Sequence, residues 1–305
     1  MGHSAGDAGG AAVRPPPVSA RLAVSTALAI VAPLAAASAR AQTLRTLTSS
    51  RQLHGESALA VSVTYVAGRF HLVPAPPGTL YQMEMRYDEE KFTPVREYDA
   101  ASGALSLGLR SRGHVTLADH RDGEEVPTLD LALAAGVPLA LAVDLGAAEA
   151  DADFGGLALT GLRFKTGASH SVLRFSRPNA AACDSLIIEA GAAQFAATGL
   201  SNAGCRHVRV EGAVGALTLD FTGTARASAD ADIHLGLGTL KLVLPRDVGV
   251  ALKLDRFLAS FDQDGFTRRD DVYYSANYAA TRYHLDLKVE SAFGGIDVAW
   301  AGAPH

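Results

Sequence analysis

The most constraining feature of this sequence is a short phrase that occurs twice. It reads CDSLIIE over residues 183–189 and CRHVRVE over residues 205–211, so the second copy begins 22 residues after the first (205 − 183). A strand with one apolar face cannot bury that face alone, and recurrence at a fixed period is typical of units that stack and share a core. The spacing therefore predicts one structural repeat, with Cys183 and Cys205 at equivalent positions of successive units.

Alternation of apolar and polar residues predicts that these units are β-strands. Leu162, Leu186 and Val208 continue the period at 24 (186 − 162) and 22 (208 − 186) residues. Alternating residues also flank the Pro-containing turns at 74–78 and 245–247, and each stretch reads as strand, turn, strand. We expect an all-β fold with a stacked-strand, β-solenoid-like repeat architecture. Because alternation is equally typical of hairpins, a β-sandwich is the alternative.

The N-terminal segment has the features of an export signal. Arg14 and Arg21 precede an apolar run over residues 22–37, and residues 39–41 supply the small side chains of a cleavage site. The run is shorter than the roughly 20 residues of a spanning helix. We predict that residues 1–41 are a cleaved signal peptide, and that the protein is periplasmic or extracellular with no transmembrane segment after cleavage.

Composition narrows the class of partner. The chain has a formal net charge of −5 at pH 7, and its basic residues are scattered, as in Arg268 and Arg269, which are followed at once by Asp270 and Asp271. Binding to a phosphate backbone needs clustered Lys and Arg, so nucleic acid is not expected as a partner. The 30 glycines and 48% hydrophobic residues are typical of closely stacked strands joined by tight turns.

A resemblance to a known family is carried by four phrases in the last third of the chain. They are GTLKLVLPRDVGVALKLD (238–255), FDQDGF (261–266), YYSANY (273–278) and LDLKVESAFGGIDV (285–298). They resemble the C-terminal domain of LiaF-type cell-wall-active antibiotic response proteins and the related toastrack adhesin-like repeats. The resemblance is good over 217–300 and only general over 58–221.

The resemblance implies an exported or envelope-associated β-repeat domain with no established enzymatic activity, and we expect neither enzymatic activity nor a cofactor. LiaF-type proteins carry transmembrane helices ahead of this domain, whereas this chain has a predicted signal peptide and further strands there. We divide the chain into a signal peptide (1–41), an N-terminal β-strand region (42–130) and a LiaF-like or toastrack repeat domain (131–305). We predict an adhesion, scaffold or envelope-stress module whose partner is a cell-envelope protein or polysaccharide.

The two cysteines have two possible roles. Stacking would place their backbones about 4.8 Å apart, which lies within the range for a disulfide, and export permits oxidation. Alternatively, both are free, buried and act as small apolar residues. The sequence has no CxxC pair, and two cysteines alone are weak evidence for zinc.

Four tyrosines, Tyr273, Tyr274, Tyr278 and Tyr283, form the densest aromatic group. Exposed tyrosines could bind sugar rings or a protein. Because these four lie inside the segment that carries the resemblance, we interpret them instead as a structural cap at the end of the stack. The strands from Ala58 are the corresponding candidate for a cap at the other end. Truncation after Asp255 is therefore expected to expose apolar strand and cause aggregation.

No set of residues assembles a catalytic or metal site in the sequence. Asp119, Asp122, Glu124 and Glu125 form an acidic loop, the best candidate for the carboxylate pair that glycoside cleavage needs, but a solvated turn explains it more simply. Residues 262–265 (DQDG) begin like a calcium loop yet lack its later ligands, so we interpret them as a turn. The alternative function is therefore a carbohydrate-binding or polysaccharide-cleaving β-solenoid.

Overall fold

The computed structural model describes residues 43–113, 125–261 and 264–302, with the side chains of 193 and 256–261 excepted. These residues form an all-β protein, which confirms the predicted fold class. Its strands are β1 Leu44–Gln52, β2 Leu59–Pro74, β3 Thr79–Asp88, β4 Phe92–Asp99, β5 Ala104–Ser111, β6 Thr128–Leu133, β7 Pro138–Asp153, β8 Ala158–Thr166, β9 Ser169–Arg174, β10 Cys183–Thr198, β11 Cys205–Asp220, β12 Ala229–Leu244, β13 Gly249–Phe261, β14 Phe266–Arg269, β15 Val272–Ser275 and β16 His284–Trp300. A four-residue helix, α1 (Leu200–Ala203), joins β10 to β11, and a 3-10 turn covers Tyr278–Ala280.

The strands are stacked in parallel layers. A layer is either one long bent strand or two shorter strands that together take its place, as β8 and β9 do between β7 and β10. In stacking order the layers are β5 with β6, β2, β7, β8 with β9, β10, β11, β12, β16 and β13. Neighbouring layers pair along most of their length, so the backbone hydrogen bonds run along the stack.

The predicted repeat coincides with this layering. Cys183 pairs with Cys205 across β10 and β11, and Leu186 lies between Leu162 and Val208 on neighbouring layers. A spacing of 22 to 24 residues therefore corresponds to one layer, as the period predicted.

The order of the layers departs from a plain solenoid at both ends. β2 and β3, read as strand, turn, strand, are not paired with each other, because β6 lies between them. In the same way β16 lies between β12 and β13. At each end the chain skips one position and a later strand fills it, which the alternation pattern could not reveal.

Antiparallel strands cover both ends of the stack. At the N-terminal end β3 pairs with β6, β1 pairs with β3, and β4 pairs with β5. At the other end the β14–β15 hairpin pairs with Ala251–Lys253 of β13. Among the strands from Ala58 onward, which were expected to cap the stack, β3 and β4 form the cap together with β1, whereas β2 is an internal layer.

Each long layer bends near its middle, and its two arms enclose the core. The rings of Phe164, from the first arm of one layer, and Phe195, from the second arm of the next, lie 6.2 Å apart. The alternation changes phase at the bend: in β7, Leu145 and Ala148 are both buried although they are three residues apart. The change of phase keeps apolar side chains of both arms on the inside.

A carboxylate fixes the connection at the end of the second arm of β7. Asp153 accepts hydrogen bonds from the Ser176 hydroxyl (2.6 Å) and the Gly155 amide (2.8 Å). Partial burial raises the pKa of Asp153, but these hydrogen bonds, with the nearby Arg174, outweigh it and hold the pKa below its usual value. The ionised carboxylate therefore stabilises the folded state.

Residues 42–305 form one compact unit. The predicted boundary at residues 130 and 131 falls inside β6, and the sheet continues through it. The predicted signal peptide and most of the acidic loop, Asp119 to Glu124, lie outside the described residues. In the described part, no helix has the length and apolar character needed to cross a membrane.

Candidate functional site

The bends of successive layers lie side by side and carry small residues at one position. We call this set the floor row: Gly167, Gly191, Ala213, Gly236 and Ala292. A Cβ on Gly191 would lie 3.0 Å from the Gly167 carbonyl oxygen, and one on Gly236 would lie 2.5 Å from that of Ala213. Larger side chains would push neighbouring layers apart, so the floor row stays small and leaves a groove along the stack.

The groove has a volume of about 830 Å³, follows the floor row over five layers and reaches Asp255 on a sixth, β13. Two residues before the floor, four of these layers carry an acid; these acids form the acidic row: Glu189, Glu211, Glu290 and Asp255. Register places Lys165 before Glu189 at one end, and His234 between Glu211 and Glu290. The groove lining thus has four carboxylates against one ammonium group.

Basic residues on the side of the acidic row away from the floor hold three of its four members in place. Arg163 donates to Glu189 (2.7 Å) and Lys288 to Glu290 (2.5 Å), and Arg209 pairs with Glu211 (3.0 Å). These partners do not line the groove, and the hydrogen bond from Lys288 lowers the pKa of Glu290. These contacts therefore hold the carboxylates of Glu189, Glu211 and Glu290 in place, although exposed pairs of this kind add little stability.

On the other side of the floor lies a row of exposed apolar side chains. Val214, Leu237 and Phe293, the apolar row, each follow a floor residue directly and are 48%, 51% and 46% exposed. Register places them on adjacent layers. Only one other large apolar residue of the described chain, Val126, is comparably exposed. Three such residues in line form a continuous patch, which is the usual mark of a contact surface.

Glycines next to the apolar row explain why the bend is repeated so regularly. Gly215, Gly238 and Gly294 follow the three apolar residues, with φ of 143°, 141° and 134°. A Cβ on Gly238 would lie 1.8 Å from the Gly215 carbonyl oxygen. Since only glycine adopts this conformation at such close approach, the bend and the exposure of the apolar row are fixed together.

Buried hydroxyls are concentrated on the inner side of the same bend. Within the described residues, three buried side-chain polar atoms lack a hydrogen-bond partner, the hydroxyls of Tyr65, Thr166 and Ser291. All three occupy one register row, which passes through Leu145 and Leu235. The core thus carries its unsatisfied polar groups where the layers bend, and Thr166 and Ser291 belong to the residues that line the groove.

The four predicted tyrosines separate into two groups. Tyr273 is buried and Tyr283 packs against the core, which are positions of a structural cap. Tyr274 and Tyr278 lie on the outer side with ring centroids 5.0 Å apart, and Tyr278 donates to Asp286 (3.2 Å). Burial and the Asp286 carboxylate raise the pKa of Tyr278. Only the second pair is available to a ligand.

Tyr274 and Tyr278 border a cleft of about 360 Å³ at the C-terminal end of the stack. Its floor includes Ala251, and its walls include the carboxylates of Asp230 and Asp286, which are register partners on adjacent layers. Lys253, Lys288 and a third carboxylate, Asp232, also line the cleft. The cleft combines ring faces, hydrogen-bond acceptors and donors over a short distance.

The structure joins Cys183 and Cys205 by a disulfide, with a Cα–Cα distance of 4.3 Å. Both side chains are buried. The bridge lies at the start of the first arm, away from the residues that line the groove. Its role is therefore to tie two layers together.

The remaining candidates do not form a site in the described residues. Glu125, the described member of the acidic loop, pairs with Arg86 (2.7 Å), as expected of a surface turn. No cluster of three or more His, Cys, Asp or Glu side chains there could hold a metal ion. Asp262 lies outside the described part, and Gly265 adopts φ 84° in a turn.

Sequence reasoning missed the acidic and apolar rows, although the chain carries a signal for them. Three segments share one pattern: a polar residue, then any residue, a small residue, an apolar residue and a glycine. They are EGAVG (211–215), HLGLG (234–238) and ESAFG (290–294). Alternation of apolar and polar residues predicts only which side chains face the core and which face solvent. The exposed apolar residue before each glycine breaks that alternation, and this break marks the bend.

Comparison with solved structures gives only distant likenesses. A candidate cell adhesion protein from Clostridium sporogenes is 15% identical, with 84% of this chain and 99% of that chain covered and a TM-score of 0.46. A candidate adhesin from Parabacteroides merdae is 12% identical, with coverages of 83% and 95% and a TM-score of 0.26. No curated protein matches this chain. At these identities and TM-scores no function can be transferred.

The family is given by the sequence itself. Residues 40–198 match the N-terminal domain of toast_rack, DUF2154. This match covers the N-terminal part of the chain, whereas the phrases that carry the resemblance lie between residues 238 and 298. Since the matched segment is more than half of the 305 residues, the chain belongs to the toast_rack family.

Proposed function

We propose that this protein is a non-enzymatic, exported and envelope-associated β-repeat protein that binds a partner through its solenoid-like stack. It would serve as an adhesion, scaffold or envelope-stress interaction module. One observation carries the proposal: Val214, Leu237 and Phe293 form an exposed apolar row on adjacent layers. Exposed apolar surface costs free energy in a monomer, and its placement at a glycine-fixed bend makes it a built feature of the fold.

The arrangement of the titratable groups supports a binding role over catalysis. The four acids of the groove lie in one register row over five layers, in which β12 contributes His234, and three of them are already paired with Arg or Lys. A catalytic pair of carboxylates needs one member with a raised pKa, whereas the one resolved shift among these acids, at Glu290, is downward. The groove therefore offers fixed negative charge for recognition.

The test is in-cell photocrosslinking of the full chain, with a photoreactive amino acid placed at Ala213 in the groove floor. We expect one discrete crosslinked species in the envelope fraction and its loss in Leu237→Ser. The matched control is Thr239→Ser, two residues further on and outside the apolar row. Loss of the crosslink in neither variant, or only diffuse crosslinking, would contradict the proposal. The mass of the purified protein tests export, since cleavage predicts a chain that begins near residue 42.

Carbohydrate binding is the second candidate, and the C-terminal cleft favours it. Tyr274 and Tyr278 offer ring faces, and Asp230 and Asp286 could accept hydrogen bonds from adjacent hydroxyls of one sugar ring. Calorimetric titration with envelope polysaccharides tests this function. Binding that is lost in Tyr274→Ala and kept in Leu237→Ser would favour it over the groove.

A further inference from the structure

The geometry of the groove also defines what kind of partner segment it fits; this inference depends on the proposed function. The acidic row and the apolar row run side by side along the stacking axis, and Glu211 and Val214 are separated by only two small residues, Gly212 and Ala213. A ligand lying along the groove therefore contacts both rows at once. Such a ligand must be apolar along one line and cationic along the neighbouring line.

The row of carboxylates is on one flank of the apolar row only. Beyond the apolar row, the corresponding outward positions on the three layers are Ala216, Thr239 and Gly295, which are uncharged. A partner with cations on both sides of its apolar line would place half of them against neutral surface. The surface therefore favours Lys or Arg on a single flank.

The spacing of the rows selects a helix over an extended chain. Adjacent layers are about 4.8 Å apart, so the apolar residues recur at that interval along the axis. Residues on one face of an α-helix recur every three or four positions, about 4.5–6 Å along its axis. One face of an extended strand repeats about every 6.6–6.8 Å and loses register after one step. A helix lying along the groove matches the layers.

We propose that the groove binds a cationic amphipathic helix of a partner protein. Its apolar face lies on Val214, Leu237 and Phe293, and its Lys or Arg residues lie over Glu211, Glu290 and the rest of the acidic row. From Glu189 to Asp255 this row crosses four layer intervals, about 19 Å, which corresponds to about 13 helical residues.

A second copy of this chain does not supply such a segment from the described residues. Their α-helical segment, α1, has four residues and carries no charge. An anionic membrane surface is disfavoured for a different reason, because the four carboxylates that line the groove would repel it. The fitting occupant is therefore a helix on another protein.

The probe is a synthetic 14-residue helical peptide with leucines on one face and lysines on one flank, and its binding to the full chain is measured by fluorescence anisotropy. We expect Leu237→Ser to weaken binding about fivefold, since about half of a leucine side chain is left to be buried. Glu211→Lys should weaken it about tenfold at low salt and much less at 0.5 M salt, given the screening of exposed charges. Glu149→Lys, the same charge change on β7 outside the groove, is the matched control and should leave binding unchanged.

Several results would overturn the inference. They are equal binding of a peptide with glutamate in place of lysine, equal binding to Leu237→Ser, and Leu237-dependent binding of the chain to anionic vesicles or to itself. If the in-cell crosslink depends on Leu237 while peptide binding is independent of charge and salt, the partner chemistry is wrong and the proposed function stands. If the crosslink is also independent of Leu237, both fail.

Discussion

Removal of the Cys183–Cys205 bridge should lower the free energy of unfolding by about 3 kcal/mol. The bridge closes a loop with a sequence separation of 22 residues. In the chain-entropy model, a cross-link that closes a 15-residue loop raises the free energy of the unfolded chain by roughly 3 kcal/mol, and a loop of this length raises it slightly more. We expect the native contacts to survive reduction, because β10 and β11 also pair through their backbones from Ser185 to Ala197. The loss therefore arises mainly in the unfolded state.

The assay is urea unfolding of the oxidised protein, the reduced protein and the double variant Cys183→Ala, Cys205→Ala. Alanine is chosen because both positions are buried, and a serine hydroxyl there would add its own cost. We expect the two bridgeless forms to unfold at a lower midpoint and, for a chain of this size, at a temperature lower by about 6–12 °C. Reductant should leave the double variant unchanged, which controls for other effects of the reagent.

The reasoning would be refuted by equal unfolding midpoints of the oxidised and reduced proteins. Two titratable thiols in the protein purified from the exported fraction would contradict the bridge itself. A drop well above 3 kcal/mol would show that the bridge also maintains native packing between the layers.

Three further predictions concern the bend, acid stability and the end of the stack. Gly238→Ala should lower the free energy of unfolding by about 3 kcal/mol or more, because φ is 141° and the new Cβ would overlap a carbonyl oxygen. Gly204→Ala, where a Cβ would have no atom within 4 Å, should lower it by about 1 kcal/mol. Chemical denaturation of both variants measures the difference. Because the pKa of Asp153 is lower in the folded than in the unfolded state, its carboxylate stabilises the fold above the unfolded-state pKa of about 3.9, and this stabilisation is lost as the pH falls through the folded-state pKa. Asp153→Asn should therefore have a lower free energy of unfolding at pH 7 and a smaller decrease of that free energy between pH 5 and 2. An acid-unfolding profile identical to that of the unchanged protein would contradict this. Truncation after Asp255 removes β16 from between β12 and β13 and should cause aggregation; a soluble, monomeric truncate by size-exclusion chromatography would exclude this view of the stack.

The repeat unit could be predicted from the sequence because each layer must bury apolar side chains at the same positions. Leu162, Leu186 and Val208 are inward residues at the same register position, and their spacing reports the length of one layer directly. The two cysteines follow the same rule. Local periodicity is thus sufficient to predict which residues are neighbours wherever a layer stacks on the layer that precedes it in the chain.

The candidate site could be predicted only in part. The four tyrosines stand out in the sequence because they lie close together in the chain. The structure nevertheless places Tyr273 in the core and its neighbour Tyr274 at the surface. The acidic row draws one residue from each of several layers, so its members are more than 20 residues apart in most steps and form no local motif. Its recognition required the register between layers.

The sequence by itself determined the strand content, the length of a layer and the pairing of the two cysteine positions, since these depend on alternation and period. Only the tertiary structure decided that β6 lies beside β2 and β16 beside β12, because non-local pairing leaves no periodic trace in the chain. It also decided the functional surface: an outward residue is solvated and weakly constrained when considered alone, and Val214, Leu237 and Phe293 become a surface only when three layers place them side by side.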